Sequence, residues 1–371
     1  MVASLATTGL RIVVWVLVTS LISLSGACAD PNTQTVEAQP VGARGTGTGR
    51  VSDRPEIPLG LDLYIPVPEG NPLSPETVAL GRTLFFDPIL SRDLRLACAG
   101  CHDPERAFTD GRALSVGVVG RVGTRSVPTL VNRAYGRSFF WDGRTSSLED
   151  QVLLPIQDPM EMDMTLDDVV ERLRRDPVYS ERFQQRFGRI PTHVDLANAL
   201  ASYVRTILSG DAPIDRYMNG ERDALSAQAR DGLRIFRERG NCTACHLGPT
   251  FTDERFHNTG VAWKYPPPAP RATSGDEAGK LVDLGRFAVT GDDEDRGAFK
   301  TPTLRDVERT APYMHDGSLA TLADVIDFYD RGGNANPYRD PGIRPLDLSA
   351  EEKQALQTFL RSLSGNVSEG M

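Results

Sequence analysis

The chain has 371 residues, room for two ordinary domains with buried cofactors. Its 41 Lys and Arg against 50 Asp and Glu give a net charge of −9, which argues against nucleic acid as a partner and suits a basic protein partner. Four of the five cysteines lie in two C-x-x-C-H motifs and the fifth, Cys28, ends a hydrophobic leader, so no pair is left for a structural disulfide.

Residues 1–29 read as a secretion signal. Arg11 is their only charge, Ile12 to Leu24 form an apolar run, and Ala27-Cys28-Ala29 fits a small-x-small cleavage site. Ser25-Gly26-Ala27-Cys28 also loosely resembles a lipobox, so a lipidated Cys28 is the alternative, and contact with a membrane is expected only in that case. A retained span is disfavoured because the apolar run is short. Losing the leader takes the net charge from −9 to −10. Either way the folded part is expected outside the cytoplasm, in the periplasm. Residues 30–56, with Gly42-Ala43-Arg44-Gly45-Thr46-Gly47 and no apolar periodicity, read as a flexible tether.

Order is expected to begin near Pro58, and the chain reads as mostly α. The first helix starts at Ser74 as N-cap, with Pro75 at its first position and Val78, Leu80, Leu84 and Phe85 on its apolar side. Helices over Thr165 to Arg175 and Thr192 to Ser209 open on Thr165-x-x-Asp168 and Thr192-x-x-Asp195. Leu196, Leu200, Tyr203, Val204 and Ile207 keep helical spacing in the second. A last helix begins at Ser349, with Glu352 completing a capping box and Leu356, Phe359, Leu360 and Leu363 forming its stripe. Strand signals are scarce.

The chemistry lies in Cys98-Ala99-Gly100-Cys101-His102 and Cys242-Thr243-Ala244-Cys245-His246. C-x-x-C-H is the attachment signature of c-type haem: two thiols add to the porphyrin vinyl groups and the His gives the iron a nitrogen. One copy could also be a zinc half-site or a redox-active C-x-x-C, though haem is favoured even then. Two copies in an exported chain point to two covalent haems.

The chain also repeats itself. Ser74 to Phe85 precedes the first motif and Phe108-Thr109-Asp110 follows it; Ser226 to Phe236 and Phe251-Thr252-Asp253 flank the second. Pro128-Thr129-Leu130 recurs as Pro302-Thr303-Leu304, Trp141-Asp142-Gly143 as His315-Asp316-Gly317, and Ser147-Leu148-Glu149-Asp150 as Thr321-Leu322-Ala323-Asp324. These three matches share a single offset along the chain. A duplicated mono-haem unit explains this: two tandem cytochrome-c-like domains, with the N-terminal haem domain at 57–215 and the C-terminal one at 216–371. The second copy carries an insertion from Tyr265 to Asp283.

The sequence resembles the bacterial di-haem cytochrome c peroxidase and MauG superfamily. The matching blocks are each C-x-x-C-H, Phe108-Thr109-Asp110-Gly111, Phe139-Phe140-Trp141-Asp142-Gly143-Arg144, Gln151 with Pro155 and Glu161-Met162, Phe299-Lys300-Thr301-Pro302-Thr303-Leu304-Arg305, and Ala311-Pro312-Tyr313-Met314-His315-Asp316-Gly317-Ser318. The resemblance covers nearly everything from about residue 60 onward. It implies an oxidoreductase that reacts with hydrogen peroxide at the N-terminal haem (attached through Cys98 and Cys101, ligated by His102). The C-terminal haem (Cys242, Cys245, His246) would pass electrons, with Trp141 as relay between the two. It implies Gln151 and Glu161 on the distal side of the first haem and Pro155 packed over its face. It also implies a calcium ion held by backbone carbonyls near Thr310 and Pro312, although Ser126 stands where the family has an Asn.

Two departures from the plain peroxidases bear on function. Their loop after the first motif carries a ligating His; here Leu114-Ser115-Val116-Gly117-Val118 fills it, and valine cannot ligate iron. The first haem is therefore expected to be five-coordinate, although His193 and His257 have no position fixed by sequence. The sixth ligand of the second haem is a Met some fourteen residues past the His-Asp-Gly motif; counted from His315 that position is Tyr329, as in MauG-type enzymes. Met314 is the competing ligand, and a second haem without a sixth protein ligand is the remaining alternative. Three functions stay open: a MauG-like oxidase that oxidises a Trp or Tyr of a partner protein, a peroxidase fed by a cytochrome c or cupredoxin, and a di-haem electron carrier. Val118 and Tyr329 favour the first, and Gln151 and Glu161 speak against the third.

Overall fold

The computed structural model describes residues 54–264 and 280–371. The leader with Cys28, nearly all of the tether and residues 265–279 of the insertion lie outside the described residues.

Helices carry the architecture and strands are short. In the N-terminal half, α1 (Pro75–Phe86) leads to α2 (Cys98–Cys101), followed after a long looped stretch by α3 (Leu148–Gln151), α4 (Leu154–Gln157), α5 (Leu166–Arg175), α6 (Pro177–Phe187) and α7 (His193–Arg205). Then come β1 (Leu208–Gly210), α8 (Pro213–Met218), α9 (Ala227–Arg237), β2 (Phe256–His257), β3 (Trp263–Lys264), β4 (Lys280–Leu281), α10 (Phe287–Thr290) and β5 (Phe299–Lys300). The chain closes with α11 (Leu322–Asp330), α12 (Ala350–Arg361) and β6 (Asn366–Ser368). The strands pair antiparallel as β1 with β6, β2 with β5 and β3 with β4. Among the described residues no helix is long and apolar enough to cross a membrane.

The caps explain the helix starts. Ser74 Oγ accepts from the Thr77 amide, and Thr165 and Thr192 do the same for Asp168 and Asp195. Ser349 and Glu352 form a reciprocal capping box on α12. Helix α6 went unread in the sequence, although Asp176 caps it by accepting from Val178 and Tyr179 and Pro177 opens it. Helix α7 stops at Arg205 rather than Ser209. Leu208 to Gly210 become β1 because the C-terminal tail returns as β6 to pair with them.

The duplication is visible in the backbone. In the N-terminal half α1 crosses α7 at Gly81, where a Cβ would stand 1.8 Å from the Ala199 carbonyl oxygen. In the C-terminal half α9 crosses α12 at Gly232, where it would stand 2.0 Å from that of Ala355. Only glycine lets the helix axes come this close. Thr129 Oγ1 donates to Ala107 O at 2.6 Å, and its counterpart in the second copy, Thr303 Oγ1, to Thr250 O at 2.6 Å. Asn132 and Asp306, Phe140 and Met314, and Gly143 and Gly317 are counterparts at the same offset and share left-handed backbone.

Each half has its own core. One gathers Leu84, Phe85, Phe108, Leu196 and Tyr203 around α1 and α7; the other gathers Leu233, Phe236, Leu356 and Phe359 around α9 and α12. Burying such side chains contributes about 1.5–3 kcal/mol each. The tail crosses back: Val367 and Met371 pack on the first core, and Glu369 accepts from Tyr203 and Arg82. Arg305, 1% exposed, holds Asp215 through two nitrogens and donates to Pro249 O and Gly60 O. These contacts tie the entering N-terminal strap to the second half.

Candidate functional site

Each C-x-x-C-H motif is a single helical turn at the wall of one cavity. The His102 amide donates to Cys98 O at 2.9 Å and the His246 amide to Cys242 O at 2.8 Å, which sets each imidazole one turn beyond its first cysteine. Behind each motif the chain passes through left-handed backbone, at Ala107 and Phe108 in one copy and Phe251 in the other. That bend turns a carbonyl onto the imidazole. His102 Nδ1 donates to Phe108 O and His246 Nδ1 to Phe251 O, both at 2.9 Å. A carbonyl can only accept, so Nδ1 carries the proton and Nε2 keeps its lone pair. Burial pushes His102 down to about 4 and lowers His246 as well, so both rings are neutral and fit to ligate.

The cavity measures about 820 Å³ and is continuous between the motifs, with Cys101 and His102 at one end and Cys242, Cys245 and His246 at the other. Cys98 packs against the first core just behind it. All four thiols are free, and burial pushes Cys98 and Cys242 up to about 12, so they stand as neutral thiols. Neutral imidazoles with their outer nitrogens fixed, paired thiols and a largely apolar cavity fit a covalently attached haem at each end.

The structure brings the remaining sequence candidates to the same cavity. Trp141, Gln151, Pro155 and Glu161 line it, as do Ser126, Thr310, Pro312, Met314 and Tyr329. Glu161 is held by the loop that follows the first motif. The Val118 amide donates to Glu161 O at 2.8 Å, and Gly117 lies so close that a Cβ would stand 2.0 Å from Met160 O. Val118 itself is 2% exposed and stays outside the cavity lining, so the loop presents Ser115, Val116 and Gly117 there instead. Burial, reinforced by the charge of Asp158, pushes Glu161 up to about 7. A carboxyl poised near neutrality can both take and return a proton.

At the far end Val325 lines the cavity at the position equivalent to Gln151, so an apolar side chain stands where the first copy has an amide. Tyr329, one turn further along α11, is buried near Cys242 and Cys245, and burial raises its phenol well above the ordinary range. Its hydroxyl has no hydrogen-bond partner among the described residues and faces the cavity. Met314 also lines the cavity, on left-handed backbone. The Thr310 and Pro312 carbonyls accept no hydrogen bond among the described residues.

Trp141 sits where the halves meet. Its Nε1 donates to Ser126 O at 2.8 Å, and its carbonyl accepts from the Lys300 amide at 2.8 Å. The Ser126 amide donates to His315 O at 2.7 Å. Trp141 and His315 are counterparts in the two copies, as are Ser126 and Lys300, so the halves exchange one reciprocal pair of hydrogen bonds. His315 stacks on Phe299 with ring centroids 3.6 Å apart. Arg125 bridges the halves, at 2.7 Å from Asp142 and 2.8 Å from Asp283.

The two histidines left unplaced by sequence go elsewhere. His193 pairs with Asp167 at the surface, 3.1 Å away. His257 lines the cavity beside Cys245, clamped by Asp340 at 2.6 Å and Asp253 at 2.9 Å. The Cys245 thiol and then the two carboxylates raise it to about 10. The sequence reading gave no role to Arg133, Asp158, Lys300 or His257. For Lys300 a signal existed: it lies in the Phe299 to Arg305 block, at the position the repeat pairs with Ser126.

The family model of di-haem cytochrome c peroxidases matches residues 75–223. The methylamine utilization protein MauG of Methylorubrum extorquens is 41% identical over 305 residues, 81% of this chain and 81% of that protein. Cytochrome-c peroxidase IdrP2 of Denitromonas iodatirespirans is 39% identical, covering 81% of this chain and 84% of its own. Among solved structures, a MauG-like protein associated with microbial copper homeostasis superposes with a TM-score of 0.73 at 33% identity, covering 82% of this chain and 95% of that one.

Proposed function

The chain belongs to the di-haem cytochrome c peroxidase family, and from that premise we propose that it is a MauG-like oxidoreductase whose N-terminal haem site is permanently open to hydrogen peroxide. It carries out its function outside the cytoplasm, after removal of residues 1–29. One observation carries the reading: the two ends of the cavity are built from equivalent positions with different chemistry. Gln151 and Glu161 face the His102 end, whereas Val325 and Tyr329 face the His246 end.

Bound haem supplies an iron at which peroxide is coordinated and reduced. The chain's own residues do the rest. His102 Nε2 and His246 Nε2 would each hold an iron through one nitrogen, kept in place by their Nδ1 hydrogen bonds. The loop at 114–118 has no side-chain nitrogen or sulfur donor, so it would not compete with peroxide at the first site. Glu161 takes the proton of incoming peroxide when ionised and delivers it to the departing oxygen. Gln151 offers its amide to the charge that develops on that oxygen. Pro155 closes the face against water. Reduction to two waters consumes two electrons and two protons. Trp141, at the junction of the halves, lies where electrons cross. Tyr329, a neutral phenol in its buried setting, would become an anionic oxygen donor on giving up its proton to bind the second iron, which would favour the oxidised metal over the reduced one.

The electrons come from a Trp or Tyr of a protein substrate in this reading. The likeness to cytochrome-c peroxidases supports a second one, in which a cytochrome c or cupredoxin is the donor. Electron paramagnetic resonance of the ferric holoprotein is the test of the open site: one high-spin and one low-spin signal are expected, and two low-spin signals overturn it. Rapid steady-state turnover with reduced cytochrome c decides for the second reading.

A further inference from the structure

Lys300 is a buried cation without a close counter-ion. It stands on β5 with 8% of its surface exposed and lines the cavity between the two motifs. Its ammonium reaches Glu254 Oε1 only at 3.5 Å and Thr301 O at 3.4 Å, both long for a charged donor, for which about 2.7–2.9 Å is usual. Glu254 is already committed. It takes both terminal nitrogens of Arg133, at 2.8 and 3.2 Å, and the Arg137 amide at 3.1 Å. Arg133 is itself 9% exposed and lines the same cavity. Asp253, the neighbouring carboxylate, is occupied by His257 at 2.9 Å and by the Arg255 amide at 2.9 Å. Two buried cations therefore share one carboxylate, and although Asp253 and Asp340 add negative charge around His257, no acceptor among the described residues comes close to the Lys300 ammonium. Proteins do not keep such a charge without a partner. Consistently, burial and then the charge of Arg133 push the Lys300 ammonium down to about 8.

The missing partner is an anion that the cavity receives. A haem brings its own, because each carries two propionate carboxylates. We propose that Lys300, with Arg133 beside it, is the seat of a haem propionate at the junction of the two halves. This rests on the di-haem reading and adds to it a contact distinct from iron ligation and thioether attachment. The seat exists in one copy only: the equivalent position in the first copy is Ser126, which has no charge to offer. It is also coupled to the relay position, since the Lys300 amide donates to Trp141 O. Holding the propionate there fixes a haem edge against the backbone of Trp141.

The test uses the holoprotein and its K300M variant, with haem counted first and both midpoint potentials then followed from about pH 5 to about pH 8. The other charged groups facing this point stay fixed across that range: Glu254 is held down to about 2, Asp253 is held below the usual carboxylate range, and His257 is held as a cation between Asp340 and Asp253. With Lys300 present the propionate remains ionised and adds no slope to its haem's potential; Glu161, at about 7, gives the first haem a slope common to all variants, so each haem is compared with its wild-type profile. In K300M the unpaired propionate, in a buried setting, titrates within the range. The potential of one haem then falls as pH rises, because the new negative charge stabilises ferric iron. K300R restores the wild-type profile. If K300M carries both haems but keeps the wild-type profile, or is offset equally at every pH, the seat is refuted while the di-haem reading stands. A wild-type protein without two haems per chain overturns both. K300Q serves for the same titration should the apolar variant fail to fold.

Discussion

Glu161 offers the sharpest measurement, because its burial turns an ordinary carboxyl into one that titrates in the physiological range. An unperturbed Glu near 4.5 is fully ionised from pH 6 upward and would give a flat rate. With Glu161 at about 7, the fraction able to accept a proton is about 9% at pH 6 and about 91% at pH 8. The second-order rate of the ferric holoprotein with peroxide, followed by stopped flow, should accordingly rise about tenfold between those values. Glu161→Gln should flatten the profile and lower the plateau by about 10²–10⁴-fold. Asp158→Asn should move the midpoint down only part of the way, since burial is the larger cause and the charge of Asp158 the second. The same shift has a sign for stability. Between about 4.5 and about 7 the folded chain holds a proton that the unfolded chain has lost, so the stabilisation is complete below that window and is lost as pH rises through it. Its size is about 3 kcal/mol. A flat wild-type profile, or a Glu161→Gln profile with the wild-type midpoint, refutes the assignment of the proton to this residue.

Tyr329→Phe should alter the low-spin signal of the second haem while leaving stability nearly untouched, because the phenol has no partner among the described residues; an unchanged spectrum rejects the ligand. Arg305→Met should strand Asp215 as a buried unpaired carboxylate and cost about 3–5 kcal/mol in denaturant unfolding, and a loss below about 1 kcal/mol contradicts the pairing. Gly81→Ala and Gly232→Ala should each lower the melting temperature by a similar amount, as both force a methyl into a facing helix carbonyl, at about 1–3 kcal/mol or more. A tolerated substitution at either crossing would show that the helices can separate there.

What could be read along the chain was what depends on neighbours in sequence. The capped starts at Ser74, Thr165, Thr192 and Ser349 follow from side chains three residues from the amides they accept. The thiol and imidazole spacing of each C-x-x-C-H is fixed by one helical turn. The constant offset between the copies survived because each must rebuild the same bends, as the left-handed pairs Asn132 with Asp306 and Phe140 with Met314 show. Val118 told, by identity alone, what that loop cannot ligate.

Other properties belong to places rather than to residues. Helix α7 was read past its true end at Arg205, because that end is set by β6, at the far end of the chain, pairing with Leu208 to Gly210. Sequence alone could name Glu161 as an acid, but only the packing of Gly117 and Val118 against it, with Asp158 near, gives it a pKa close to neutrality. Lys300 looked like one more residue in a matching block. Its meaning came from the competition of Arg133 for Glu254, three residues drawn from both halves. Local rules fixed the elements and the covalent attachments. Burial and charge balance, which sum over whatever the fold brings within a few ångströms, decided which of those side chains has chemistry left to do.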